Sequence, residues 1–74
     1  MAVGTYYLLC EAGKSGGFGP YVGFDSAAGF TLAMMADRSD AKRYFDRAEA
    51  ESDSLKLSAQ FGPLEIEDRI GVIA

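Results

Sequence analysis

The stretch Val3–Ala12, VGTYYLLCEA, decides the architecture of this chain. It is rich in tyrosine and leucine and nearly uncharged, and apolar side chains fall on both of its alternating faces. A strand that is apolar on both faces is typical of the covered centre of a sheet. The glycine-rich segment that follows favours a strand over a buried helix. The sequence therefore predicts a central strand here.

Two shorter strands are predicted downstream, at Tyr21–Phe24 and Phe30–Met35. Residues 13–20 hold four glycines and a proline, so we expect them to join the first two strands as a loose hairpin. Between the second and third strands lies Asp25–Gly29, whose terminal aspartate and glycine are typical of a turn. Ser39–Lys42 is compatible with a single helical turn.

A helix is predicted from about Arg47 to Gln60. Asp46 precedes it and Glu49 follows three residues later, which is the capping-box pattern. Gly62 and Pro63 form a stop signal, because glycine accepts a positive φ and proline prevents continuation. On this helix Ala48, Leu55 and Ala59 share one stripe, opposite the charged residues.

Leu64–Ala74 is predicted to be the last strand, with its apolar residues on one face and Glu65, Glu67 and Arg69 on the solvent face. Asp68 interrupts the apolar face. Because burial of an unpaired carboxylate costs several kcal/mol, we expect a bulge or bend near this residue. The order strand, strand, strand, helix, strand predicts one α+β domain over residues 1–74. It would be an antiparallel sheet of about four strands with one main helix packed on one face.

Composition excludes several kinds of site. The chain has 74 residues, one cysteine and no histidine, so we expect no internal disulfide, no structural zinc and no cofactor. The net charge of −4 disfavours nucleic acid as a partner. No apolar run is long enough to span a bilayer and no secretory signal is evident, so we expect a cytoplasmic protein without a membrane contact.

The segment Gly13–Lys14–Ser15 matches the end of a phosphate-binding loop, GxxxxGK[ST]. The first glycine of that motif is replaced by Leu8, and the residues after Ser15 are glycine-rich and contain a proline where a helix would have to begin. We therefore predict an ordinary loop here and no nucleotide site.

Catalysis is not expected either. Cys10 lies in the predicted buried strand and no histidine is present to lower its pKa, so we interpret it as an inert buried thiol. The acids of the last strand fall on a predicted solvent face. The sequence therefore predicts a protein that is not an enzyme.

Charge is unevenly distributed. Residues 38–47 hold four basic side chains against two acidic ones, whereas residues 49–68 hold six acids against one lysine. Exposed aromatics and arginines are common anchors in interfaces, and a Phe at the tip of the glycine-rich loop is such a candidate. The residues expected to contact a partner are Phe18, Tyr21, Arg38, Lys42, Arg43, Arg47, Glu49, Glu51 and Asp53.

The stretch GFTLAMMADRSDAKRYFDRAEAES (29–52) resembles a pattern found in short proteins of bacteriophages and mobile elements. The matching residues are Gly29, Phe30, Thr31, Leu32, Ala41, Phe45, Glu49 and Ala50. The resemblance covers about a third of the chain and implies a sheet-and-helix module. Proteins of this sort include inhibitors of bacterial defence systems, among them anti-CRISPR proteins.

The leading prediction is a non-catalytic protein-binding module. More specifically, we expect an inhibitor that blocks a surface of a bacterial host complex. Marginal cores and open sheet edges also favour a self-associating scaffold or homodimer, which is the alternative. Two lesser alternatives are contact of the basic cluster with nucleic acid and imitation of nucleic acid by the acidic half.

Overall fold

The computed structural model describes residues 2–14 and 19–73, which form an open four-stranded antiparallel sheet and one α-helix. The strands are β1 (Val3–Glu11), β2 (Tyr21–Asp25), β3 (Thr31–Met35) and β4 (Leu64–Val72), and the helix is α1 (Arg47–Phe61). In space the strands are ordered β3-β2-β1-β4. The predicted α+β class and chain order are thereby confirmed. Short 3₁₀ turns occupy Ser26–Ala28 and Arg38–Asp40.

β1 is central, as predicted. It pairs with β4 over its whole length, from Val3 opposite Val72 to Glu11 opposite Leu64. Leu8, Leu9 and Cys10 are consecutive and all buried, which requires that both faces of this strand are covered. We call the face that carries Leu9 the helix face, because α1 packs on it, and the face that carries Leu8 and Cys10 the second face.

β1 and β2 are in register at only one pair, Cys10 opposite Tyr21. Beyond this pair the gap between them is filled by residues 41–44, which we call the inserted segment. The Lys42 amide donates to the Val22 carbonyl at 2.9 Å. On the other side, the Tyr7 amide donates to the Tyr44 carbonyl at 2.7 Å and the Tyr44 amide donates to the Tyr7 carbonyl at 2.9 Å. The inserted segment therefore hydrogen-bonds to both strands.

On the helix face the buried core consists of Leu9, Val22, Tyr44 and Ala50. From α1, Leu57 and Phe61 pack against it. The predicted stripe of Ala48, Leu55 and Ala59 was wrong, since all three are exposed and Leu55 is 79% exposed. The helix is turned so that the spacing of Ala50, Leu57 and Phe61 meets the sheet.

The second face is covered around Glu67, which corrects the expectation that this acid of β4 lies on a solvent face. Leu8, Cys10 and Tyr21 form a buried cluster there, with Ala41 and Tyr6 packed against it. Glu67 lies on the same face and is only 6% exposed. Its carboxylate accepts from the Tyr21 hydroxyl at 3.3 Å and pairs with the Arg69 guanidinium at 2.8 Å, so its charge is compensated.

No bulge interrupts β4. The register with β1 runs without a break through Asp68, which lies opposite Tyr7. The Asp68 side chain is 63% exposed and its Oδ1 is 3.1 Å from Nη1 of Arg47. An exposed and paired carboxylate carries no burial penalty, so the expected bend is not required.

The ends of α1 follow the sequence signals in part. The Asp46 side chain accepts from the Ala48 amide at 2.9 Å, and Gly62 takes a φ of 84° beyond the last turn. Among the described residues, Glu49 does not complete the capping box by accepting from the Asp46 amide. In the part of the chain that is described, no helix is both long and apolar enough to cross a membrane.

We predict that Gly23→Ala destabilises the fold by about 1–3 kcal/mol, because a Cβ on Gly23 would overlap the carbonyl oxygen of Asp40 at the entry to the inserted segment. Urea unfolding measures this change. Gly4→Ala is the matched control, since its Cβ would meet, at 2.6 Å, only the end of the Ile73 side chain, which can move aside. Equal stability losses in the two variants would contradict the prediction.

Candidate partner-binding surface

A groove of about 470 Å³ opens on the second face, between β1 and the chain that leads into the inserted segment. It is lined by Tyr6, Leu8, Asp37, Arg38, Ser39 and Arg43. Leu8 is buried and contributes to the floor, whereas Arg38 and Arg43 are exposed. The groove thus combines an apolar base with two cationic side chains.

Arg43 is held in place from two directions. Its guanidinium lies 4.8 Å from the centre of the Tyr6 ring, and its Nη1 donates to the Val72 carbonyl at 3.3 Å. A stacked guanidinium keeps most of its donors available at its edge. The Arg43 side chain is therefore already ordered, so binding a partner costs it little further conformational entropy.

Asp37 lines the groove, but its carboxylate is used locally. Oδ1 accepts from the Ser39 amide at 3.0 Å, which closes the 3₁₀ turn. This hydrogen bond holds the pKa of Asp37 below its usual range, and the nearby Arg38 charge adds to the effect. Within residues 2–14 and 19–73, neither Arg38 nor Arg43 lies within ion-pair distance of a carboxylate.

Lys42 and Asp53 meet on the other side of the sheet, around Tyr44. The Tyr44 hydroxyl donates to Asp53 Oδ2 at 2.7 Å, and Lys42 Nζ lies 3.5 Å from the same oxygen and 4.7 Å from the centre of the Tyr44 ring. The Tyr44 hydrogen bond is the main cause of the lowered pKa of Asp53, with Lys42 contributing. Burial, followed by the bond to Asp53, raises the pKa of Tyr44 well above its ordinary value. This cluster ties the inserted segment to α1.

Arg47 is likewise engaged by its own chain. It pairs with Glu51 at 3.3 Å and with Asp68 at 3.1 Å, and its guanidinium lies 5.8 Å from the centre of the Tyr7 ring. Arg47 and Glu51 are both more than half exposed, so these pairs contribute little to stability and leave the side chains accessible.

The remaining candidates separate further. Tyr21 is 1% exposed, so it belongs to the core of the second face and its surface is closed to a partner. Glu49 is exposed on the first turn of α1, on the helix side. Phe18 lies outside the described residues, as does Ser15 of the segment that resembled a phosphate-binding loop. Of the predicted residues that the structure describes, only Arg38 and Arg43 lie together in a concave site.

Tyr6 and Leu8 were missed as groove residues because their apolar pattern indicated core. Their role depends on the path of residues 37–43, which the local sequence does not specify.

Outside the groove, the Cys10 thiol is not activated for reaction. Burial raises the pKa of the Cys10 thiol to about 11, with Glu65 and Glu67 adding to the effect, so the thiol is protonated at neutral pH. The amide of Gly13, in the segment that resembled a phosphate loop, donates to a carboxylate oxygen of Glu65 at 3.2 Å. Where the chain is described, no group of three or more acidic, cysteine or histidine side chains is placed to hold a metal ion.

Comparison of the chain with protein-family models, with curated proteins and with solved structures gives no match.

We predict that Tyr44→Phe lowers the free energy of unfolding by about 1–2 kcal/mol at neutral pH, because it removes a hydrogen bond to a charged carboxylate. The folded-state pKa of Asp53 is lowered, so its stabilising effect is present above the ordinary aspartate pKa of about 3.9 and is lost as the pH falls through the lowered value. The difference from wild type should therefore shrink in acid.

Urea unfolding between neutral pH and about pH 2 measures this difference across the titration of Asp53. Tyr6→Phe is the matched control, because the Tyr6 hydroxyl makes no hydrogen bond to a described residue. A loss in Tyr44→Phe that stays constant down to the lowest pH would show that the hydroxyl does not act through the Asp53 charge.

Proposed function

We propose that this chain is a non-catalytic protein-binding module that receives an acidic segment of its partner in the groove on the second face. The observation that carries the proposal is the pair Arg38 and Arg43, two exposed arginines on one concave surface. Neither lies within ion-pair distance of a carboxylate among the described residues.

The chemistry of the groove favours a carboxylate-bearing polypeptide. A guanidinium binds a carboxylate through two parallel hydrogen bonds, which gives both strength and orientation. The Tyr6 ring and Leu8 supply an apolar base on which side chains adjoining the carboxylate can pack. The groove volume of about 470 Å³ accommodates a few side chains.

The charge of the whole chain supports selectivity. The net charge is −4, and most of the acids follow residue 46, on α1 and β4. An acidic partner is therefore repelled by much of the surface and attracted at the groove. Nucleic acid, whose negative charge extends over many nucleotides, meets the acidic remainder of the surface.

Under this proposal the module acts by occupying a surface of its partner. The resemblance of residues 29–52 to short phage proteins favours a bacterial host complex as that partner, and blockage of a defence complex as the outcome. The alternative of a self-associating protein depends on a different surface, the open edge of the sheet.

Affinity capture from bacterial lysate with quantitative mass spectrometry tests the groove. We expect Arg38→Glu and Arg43→Glu each to reduce the captured partner at least tenfold, because each replaces an attraction by a repulsion. Lys56→Glu is the matched control, since Lys56 is exposed on α1 and the change in net charge is the same. It should retain the partner.

Capture that is equal in all variants, or that fails equally in the groove variants and in Lys56→Glu, would contradict the proposal. Recovery of nucleic acid that is lost only on Arg43→Glu would assign the groove to phosphate binding instead. Unchanged melting temperatures of the variants establish that the fold is intact.

A further inference from the structure

The two edges of the sheet differ. The β3 edge has five residues and the β4 edge has nine. Long open edges invite pairing with another strand unless they are covered or interrupted. Charged side chains are present on β4, but it contains neither a proline nor a bulge. The β4 edge is therefore the stronger candidate for association.

The backbone groups on this edge can be assigned from the ladder with β1. The Ala12 amide donates to the Pro63 carbonyl at one end, and the Ile73 amide donates to the Ala2 carbonyl at the other. In an antiparallel ladder, every second pair of opposed residues is hydrogen-bonded. The backbone amide and carbonyl groups of the odd-numbered residues of β4 therefore point toward β1, and those of the even-numbered residues point outward. Among the described residues, the outward backbone groups of Ile66, Asp68 and Ile70 have no hydrogen-bond partner, whereas the outward carbonyl of Val72 accepts from Arg43 at 3.3 Å.

The side chains at one end of this edge are apolar and uncovered. On the helix face, Val3 is 67% exposed, Ile70 is 79% exposed and Val72 is 47% exposed. Val3 and Val72 are directly opposed in the ladder, so these side chains form one patch. At the opposite end of β4, Leu64 and Ile66 pack against the core that includes Ala50 of α1, and Arg47 of α1 pairs with Asp68. The patch at Val3, Ile70 and Val72 stays exposed.

The sequence of β4 is self-complementary when it pairs antiparallel with itself around Asp68. This register places Ile66 opposite Ile70 of the second copy and Leu64 opposite Val72 of the second copy. On the other face, Glu67 lies opposite Arg69 of the second copy. The outward backbone groups of the even-numbered residues then face each other, as an antiparallel ladder requires.

Neighbouring registers are worse. A two-fold axis at Arg69 or at Glu67 puts like charges opposite each other and sets Asp68 against an isoleucine. With the axis at Asp68, only the two Asp68 carboxylates oppose each other, and each has its own Arg47 guanidinium at 3.1 Å. Like charges at the axis are thus neutralised by residues already in place.

From this complementarity we propose that the β4 edge binds a second copy of this chain, forming a two-fold dimer with a continuous eight-stranded sheet. The open patch of each copy is then placed beside Ile66 and Leu64 of the other, which lie next to its helix. The groove meets this contact at one point, because Nη1 of Arg43 donates to the carbonyl of Val72, which lies on the same edge. The tests of the dimer and of the proposed function therefore use different residues, Ile70 and Asp68 for the dimer and Arg38 and Arg43 for the groove.

Sedimentation equilibrium on the purified protein tests the dimer. A single strand pair buries less than a standard interface of about 1,600 Å², so we expect dissociation in the micromolar range or weaker, visible between about 10 µM and about 1 mM. Ile70→Lys should weaken the dimer at least tenfold. Leu55→Lys is the matched control, because Leu55 is also 79% exposed but lies on α1, and its dimer should change less than about twofold.

A wild-type protein that stays monomeric up to about 1 mM would overturn the inference, as would Ile70→Lys with undiminished dimer affinity. Circular dichroism confirms that each variant is folded.

The register has its own test. Opposed residues on the two-fold axis bring Cα atoms to about 5.5 Å, within the range of a disulfide. Asp68→Cys should therefore cross-link to its own copy under mild oxidation, while the native Cys10 is buried and does not contribute. Glu51→Cys, on the exposed surface of α1, is the control for random collision. Equal cross-linking rates of the two variants would overturn the pairing around Asp68.

Discussion

The sheet depends on hydrogen bonds made by a segment that lies outside its four strands. β1 and β2 separate after one pair, and residues 41–44 close the gap by bonding to both. Because an unpaired backbone group in a buried position costs about as much as a lost hydrogen bond, this closure is required for the centre of the sheet. Gly23 permits it by leaving room for the chain at Asp40, and Tyr44 fixes it by filling the core.

Two tyrosines, one on each side of the sheet, contribute buried apolar area to the core of this small domain. A short chain buries little apolar area, and a tyrosine ring supplies much of it but brings a hydroxyl that needs a partner. Tyr44 and Tyr21 are each 1% exposed. The Tyr44 hydroxyl donates to Asp53 on the helix face, and the Tyr21 hydroxyl donates to Glu67 on the second face. Among the described residues, no buried side-chain polar atom lacks a partner.

Local sequence patterns predicted the bounds of the strands and the helix well, but they predicted poorly which residues pack against which. The apolar run of β1, the Asp46 cap and the Gly62–Pro63 stop placed the central strand and the helix within a residue or two. The predicted buried face of the helix was wrong, since Leu55 is exposed and the residues that pack against the core are Leu57 and Phe61. In a helix with apolar residues on several sides, the packed stripe is set by the partner surface.

The candidate site was predicted only in part for the same reason. Arg38 and Arg43 were identified from charge, but their meeting with Tyr6 depends on how residues 37–43 cross the second face. The burial of Glu67 beside Tyr21 and Arg69 was likewise not indicated by any local pattern. Long-range placement of an irregular segment is thus what separates the sequence-based picture from the structure.

The position of β1 has a consequence for synthesis of the chain. It is the first of the described strands to be made, yet apart from its single pair with β2 its neighbours are residues 41–44 on one side and β4 on the other, which are made later. Until β4 emerges, a nearly uncharged strand has most of its backbone groups unpaired, a state that favours aggregation during slow non-local pairing. The earliest of these strands is therefore completed last, and its apolar side chains stay exposed until the last strand has been made.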